Sequence, residues 1–389
     1  MRFDVTQHML SEDELIRIIR RTVKSRGRVR LGIGDDAAVL KDGTVITTDA
    51  YAEGVHFDLS YMSLRQVGAR CACGAISDVV AMAAEPAAVL VALALPRVGC
   101  EQLAASSYRR QGEVRSQLLE ARGQKCGSGR PSAVSREPLA LVVREFYRGI
   151  ESVCAKMKCE VAGGDIIVAD KLLLALTVTG KTRSPKLRSG ARPGDHLYVT
   201  GHLGSAEAGR IVLSDEVRVQ KPECRMQNGG YRSTVHGVRF TGSDWRLPLV
   251  SRHLRPTPRL GAMLVLKSHI HGLIDTSDGL ATDARHLCEM SGVRIVLDGE
   301  ALPVLPGVSS LCAERNLDSL GFVLGAGEDY ELLFTSRQRL PNTVSGVKVT
   351  RIGSVEEGRG LCIRRDGRIL PVTVSGYDHL GVDNGSTSC

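Results

Sequence analysis

The sequence predicts an α/β (α+β) protein of two domains, and three observations carry that expectation. The chain has 389 residues, long enough for two cores, and its 43% apolar and 24% charged content is that of an ordinary globular protein. Strand-like and helix-like patterns alternate in both halves, which argues layered sheets and helices. Acidic residues recur beside glycines or hydroxyl residues at five places that read as strand ends or tight turns.

Taken in order, Ser11-Glu12-Asp13-Glu14 is a capping box opening an amphipathic helix through Leu15, Ile16, Ile18 and Ile19. Val45 to Thr48 reads as a short strand delivering Asp49 at its end. Leu64 to Ala75 reads as a helix, and Ala87 to Pro96 as a buried strand stopped by its proline. Leu172 to Gly180 is another strand. Arg188 to Asp195 is turn chemistry leading into the strand His196 to Thr200, and the domain boundary is placed just before it, near residue 184. The domains are then 1–184 and 185–389. In the second, Ile274-Asp275 ends a strand, and Ser277 or Asp278 is placed to cap a helix through Leu280, Ala284 and Leu287. Val293 to Leu297 is a strand, and Val323 to Phe334 holds a glycine turn running into one more.

Composition excludes several functions. No apolar run approaches the ~20 residues of a membrane span, and the start lacks the layout of a signal peptide, so a cytoplasmic protein is expected. The eleven cysteines match no zinc or redox spacing and read as free, mostly buried thiols. The net charge of +8 comes from two segments. Residues 109–137 hold seven Lys/Arg against three Glu, and 218–259 hold nine against two acids, so the rest of the chain is net acidic. Neither segment interleaves aromatics with its charges, so both read as solvated surface and no nucleic-acid partner is expected.

The chemistry therefore gathers in the acidic knots: Gly32-Ile33-Gly34-Asp35-Asp36, Thr47-Thr48-Asp49, Ser77-Asp78, Gly163-Gly164-Asp165 and Asp275-Thr276-Ser277-Asp278-Gly279. Each alone is equally an Asp-rich turn satisfied by its own backbone. Together they suggest oxygen-only sites for magnesium, with phosphates. No Walker-type phosphate loop, protein-kinase set or Gly-x-Ser-x-Gly elbow is present, so phosphate would be held by metals, glycine amides and an arginine such as Arg188.

In order and near-family spacing, the stretches GIGDDAAVL, TTDAYAEGVHFDL, ISDVVAMAAEP, AGGDIIVADKLLLALTVTGKT, RSGARPGDHLYVTG, RPTPRLG, IDTSDGLATDARHL, GAGEDYELLFT and GYDHLG resemble the thiamine-monophosphate kinase family. It belongs to the superfamily of aminoimidazole ribonucleotide synthetase, hydrogenase-maturation dehydratase and selenophosphate synthetase. The resemblance implies the two-domain fold of that synthetase, with the N-terminal α/β domain forming the dimer sheet of a homodimer and a C-terminal α/β domain behind it. It implies magnesium held by aspartates matching Asp36, Asp49, Asp78, Asp165, Asp275 and Asp278, assisted by Thr47 and Thr48. Asp49, Asp165 and Asp278 would act at the reacting phosphates. Gly164, Arg188, Ser277 and Tyr147 fall where the family touches ATP. His56 and Glu328 fall where it holds thiamine monophosphate, and Val374 or Tyr377 lies nearest its substrate-stacking aromatic. The implied reaction is direct in-line transfer from ATP to thiamine monophosphate.

The chain departs from the family at Ala75, where an asparagine is usual, and at Ile166 and Ile167, where two threonines are. Basic insertions are expected at about 104–140 and 215–250. Two alternatives accompany the reading: another ATP-dependent enzyme of the superfamily, of ligase or dehydratase type, or a weakened nucleotide-binding protein. Cys389 sits where the hydrogenase-maturation type ends in a reactive cysteine, but without that type's usual tail.

Overall fold

The computed structural model describes residues 12–23, 27–96, 136–219, 234–235, 238–239 and 244–377. After helix α1 (Glu12–Thr22) comes a six-stranded sheet of β1 (Val29–Leu31), β2 (Ala38–Leu40), β3 (Thr44–Ala52), β4 (Glu85–Pro96), β5 (Glu160–Ala169) and β6 (Leu173–Lys181). Its order is β1-β2-β3-β6-β4-β5, antiparallel except for the parallel pair β4 and β5. Side chains alternate across it: Val45, Thr47 and Tyr51 of β3 are buried, while Thr48 and Ala50 are exposed.

Against the inner face lies α2 (Leu64–Ala81), started by a capping box in which Ser63 and Gln66 satisfy each other's backbone N–H groups. It is buried on almost every side, as expected of a helix packed between layers. Helix α3 (Arg136–Met157) crosses it so closely that a Cβ on Gly68 would stand 2.2 Å from the Phe146 carbonyl oxygen. A Cβ on Gly149 would stand 2.1 Å from that of Arg65, so both glycines are there for the approach of the two backbones.

The second half builds another sheet from β7 (His196–Thr200), β8 (Leu273–Asp275), β9 (Arg294–Asp298), β10 (Leu332–Ser336), β11 (Val347–Glu356), β12 (Gly360–Arg365) and β13 (Arg368–Pro371). The order is β8-β10-β7-β11-β9-β12-β13, with Thr343–Val344 paired beside β11. Its helices are α4 (Ser205–Val219), α5 (Arg246–Leu254), α6 (Leu260–Leu266), α7 (Leu280–Ser291), α8 (Pro306–Glu314) and α9 (Ser319–Gly325). Buried side chains of both halves form one continuous apolar cluster, and α2 packs on β8 as well as on the first sheet. Among the described residues no helix is long and apolar enough to cross a membrane. The seven described cysteines are free, six of them buried.

Several expectations need correction. Strand β3 continues to Ala52, so Asp49 lies within a strand and not at its end, because buried Tyr51 keeps the alternation going. Helix α2 runs on to Ala81 through buried Ile76, Val79 and Val80, which puts Ser77 and Asp78 on a helix and not in a turn. Gly163-Gly164-Asp165 is also no turn: it lies in β5, where a Cβ on Gly164 would stand 1.9 Å from the Val91 carbonyl oxygen of β4. Gly279, and neither Ser277 nor Asp278, occupies the cap position of α7, and Asp283 reaches back to accept its N–H at 3.1 Å. The reading of 218–259 as solvated surface fails at its end, where Arg252 and Arg259 pair with the fully buried carboxylate of Glu331. Ser11 of the first capping box, Cys389, most of the first basic segment and about half of the second lie outside the described residues.

Candidate active site

The site is built where α2, β3, the Asp35-Asp36 turn and β8 meet. Asp36 enters from the turn before β2, and its Oδ1 accepts two hydrogen bonds from Arg188, Nε at 3.1 Å and Nη2 at 2.6 Å. Its neighbour Asp35 accepts the backbone N–H of Arg188 at 3.3 Å. Burial, with the charge of Asp36 beside it, raises the Asp35 carboxyl to about 6. Arg188 comes from the turn between the two sheets, so this ion pair ties the halves together across the site. On α7, the Ser291 hydroxyl donates to the Arg188 carbonyl and accepts the Ala191 N–H, pinning that turn.

From α2, Asp78 accepts the Thr47 hydroxyl at 2.8 Å, and the preceding Ser77 donates its own hydroxyl to Asp275 on β8 at 2.5 Å. Tyr51 donates to Asp49 at 2.8 Å. Burial pushes Asp49 and Asp78 upward, and each feels the charge of Asp36. Asp275 is raised to about 8, first by burial and then by Asp36. The carboxyls of Asp49, Asp78 and Asp275 are thus all pushed upward at one place, beside the charge of Asp36. Replacing Thr47 by Val is expected to lower kcat/KM roughly 10- to 100-fold, the effect of losing a hydrogen bond that orients a functional carboxylate. Thr47→Ser keeps the hydroxyl and should restore most of the rate in the same steady-state assay.

The remaining predicted residues divide. His56 follows β3, accepts the Ala52 N–H on Nδ1 at 3.1 Å and meets Tyr51 edge-on at 5.5 Å, which places it beside Asp49's partner. Glu328 is paired with buried Arg70 of α2, and its N–H donates to the Ser277 carbonyl at 2.8 Å. Tyr377 donates its N–H to the Asp278 carbonyl at 3.0 Å, so the end of the described chain returns to the Asp278 turn. Ser277 and Asp278 are half-buried there, near Asp283. Tyr147 is half-buried on α3 against the core.

Thr48 and Asp165 are not brought to this cluster. The pairing register puts Thr48 level with Thr177, to whose hydroxyl it is hydrogen-bonded at 3.1 Å, on the exposed outer face of the sheet. Asp165 lies on that same face, level with Ala92, Ala175 and Ala50. Sequence reasoning passed over Arg70, Asp283 and Ser291 and gave Ser77 no partner. Arg70, Ser77 and Ser291 act on partners far away in sequence, so no local motif marks them, whereas Asp283 acts four residues back on the Gly279 N–H.

Among the described residues no three His, Cys, Asp or Glu side chains converge tightly enough to enclose a metal on their own. Magnesium does not require that, since it is held through one or two carboxylates with water and phosphate oxygens completing its shell. Among the described residues two buried carboxylate oxygens lack any hydrogen-bond partner, Oδ2 of Asp36 and Oδ1 of Asp275. Orphaned carboxylate oxygens in an all-oxygen cluster of crowded negative charge fit a hard divalent cation. Cys71, a thiol that feels the charge of Asp49, is pushed above the thiolate range by burial, which disfavours soft-metal ligation.

The family described as AIR synthase related protein, N-terminal domain, matches residues 34–115 and 127–182. The thiamine-monophosphate kinase of Aquifex aeolicus (strain VF5) is 31% identical over 374 residues, 95% of this chain and 98% of that protein. That of Salmonella typhimurium (strain LT2) is also 31% identical, over 391 residues that span 94% of this chain and 97% of its own. The solved structure of AaThiL complexed with AMPPCP and TMP aligns with a TM-score of 0.70 at 29% identity, covering 96% of this chain and 99% of that one.

Proposed function

Because the chain belongs to the thiamine-monophosphate kinase family, we propose that it transfers the γ-phosphoryl group of ATP to thiamine monophosphate, yielding thiamine diphosphate. The observation that carries this reading is the meeting of Asp36, Asp49, Asp78 and Asp275 with Arg188 at the junction of the two halves. Two polyanions must approach one another in the reaction, and a site for it needs concentrated, well-oriented charge.

Asp36, Asp49, Asp78 and Asp275 would hold magnesium, with Asp278 extending the set, while Asp165, on the outer face of the sheet, stands apart from it. When bound there, the metal supplies the positive charge that screens the reacting phosphates. The chain's own residues prepare the place. Thr47, Tyr51 and Ser77 fix the carboxylates through their hydroxyls, and Arg188 sets Asp36 while bringing a guanidinium to the rim of the cleft. Gly164, Ser277 and Tyr147 are assigned to the nucleotide. His56, Glu328 and Tyr377 are assigned to the acceptor. The acceptor phosphate is already ionised, since a phosphomonoester's second pKa is ~6, so no strong general base is needed. Direct in-line transfer without a phosphoenzyme follows.

A homodimer belongs to the same proposal. Leu90, Ile167 and Leu173 are 44%, 55% and 38% exposed on the outer face of the first sheet, beside Thr48 and Asp165. A second copy covering that face would bury them and enclose those two polar groups. The domain division near residue 184, between the two sheets, and action in the cytoplasm complete the reading.

The test is incubation of the purified full chain with magnesium, ATP and thiamine monophosphate, followed by chromatographic separation. Thiamine diphosphate and ADP in equal amounts are expected. Their absence, with the protein folded, overturns the proposal.

A further inference from the structure

The buried arginine of α2 has no part in the phosphate chemistry above. Arg70 is 2% exposed, and both terminal nitrogens reach the second half of the chain: Nη1 donates to the His253 carbonyl and Nη2 to Oε2 of Glu328. A guanidinium taken this far from water is tolerated only when its donors are matched, so its place and its partners are specified together. Glu328 is constrained from its other side as well. Its φ is +61°, unusual for a residue with a Cβ, and its N–H is tied to the Ser277 carbonyl at 2.8 Å. The side chain nevertheless keeps 29% of its exposure. Arg70 anchors Oε2, and among the described residues no hydrogen bond uses Oε1.

We infer that Arg70 is a positioning residue for the acceptor: it aims Glu328 so that Oε1 meets an amino donor or the cationic ring of a thiamine-like substrate. The inference rests on the kinase reading and deepens it. The planar fork of Arg70 holds the His253 carbonyl and Glu328 together, coupling the aim of this carboxylate to the packing of α2 against α5. A lysine is a point charge on a flexible stem and cannot span both acceptors in one plane. ATP should be indifferent to the change, because Arg70 touches none of its assigned contacts and Glu328 meets Ser277 only through its backbone N–H, which the substitutions leave in place.

The test compares Arg70→Met, Arg70→Lys, Glu328→Gln and the Arg70→Met/Glu328→Gln double variant with wild type by steady-state kinetics and thermal unfolding. Arg70→Met should raise the KM for thiamine monophosphate roughly 10- to 100-fold, as misplacement of a substrate contact does. The KM for ATP should stay within about twofold, and Arg70→Lys should recover part of the loss. In the Glu328→Gln background Arg70→Met should add less than about twofold, because its effect passes through Glu328. Equal rises in both KM values, additive effects in the double variant, or failure of both Arg70 variants to fold would reduce Arg70 to a packing role and overturn the inference. If wild type forms no thiamine diphosphate, the kinase reading itself has failed. Calorimetric Kd values for thiamine monophosphate and for ATP then take the place of KM in the same comparison.

Discussion

Asp49→Asn is expected to lower kcat roughly 10³-fold with the fold intact, a loss of about 4 kcal/mol of transition-state stabilisation. Asparagine has the same shape and keeps an oxygen for the Tyr51 hydroxyl, which stands 2.8 Å from the carboxylate. Only the charge is lost. Burial already raises this carboxyl, and Asp36 raises it further, so the native anion is held against its own repulsion. Its removal should leave the melting temperature unchanged or higher. Rate and stability move in opposite senses only if the carboxylate serves the reaction and not the fold. The readouts are kcat with saturating substrates and thermal unfolding of the same preparation. Turnover within tenfold of wild type sinks the assignment, and a large drop in melting temperature would make Asp49 a structural residue.

How far the sequence foretold this arrangement depended on whether a residue's role is local. The Asp35-Asp36 turn, the strands His196–Thr200 and Leu273–Asp275, and the glycine turn before β10 were legible, because turn residues and apolar runs are written in neighbouring positions. The difference between Thr47 and Thr48 was not. It depends on strand parity, and reading Asp49 as a strand end hid that β3 continues and throws the two hydroxyls to opposite faces. Ser77 and Asp275 are 198 residues apart, and Arg70 and Glu328 are 258 apart. Their pairing is created by the packing of α2 between the sheets and has no signature in either neighbourhood. Charge counting misled for the same reason at Arg252 and Arg259. A basic segment resembles solvated surface until a buried partner such as Glu331 is found from elsewhere in the chain.

The metal-free protein is expected to lose stability as pH rises, and Asp275 should account for a large share of the loss. Burial, then the charge of Asp36, raises its carboxyl from 3.8 to about 8, against the opposing Ser77 hydroxyl and Arg188. A carboxyl whose folded pKa lies above its unfolded value binds its proton more tightly in the folded state. Its contribution is therefore fully present below pH ~4 and disappears as pH rises through ~8. Melting temperature should fall across that window without magnesium, and Asp275→Asn, which mimics the protonated form, should flatten the fall. Magnesium at ~100 times its Kd would add about 2.7 kcal/mol to wild type. That is roughly 5–10 °C for a protein of two such domains, and the gain should be much smaller in Asp275→Asn. Calorimetric scans from pH ~4 to ~9 with and without magnesium measure both effects. A pH-independent melting temperature, or equal magnesium shifts in both proteins, would show that Asp275 neither carries the strain nor holds the metal. The physical reason to expect both together is that repulsion among buried carboxylates destabilises the free protein, and a cation relieves that same repulsion when it binds.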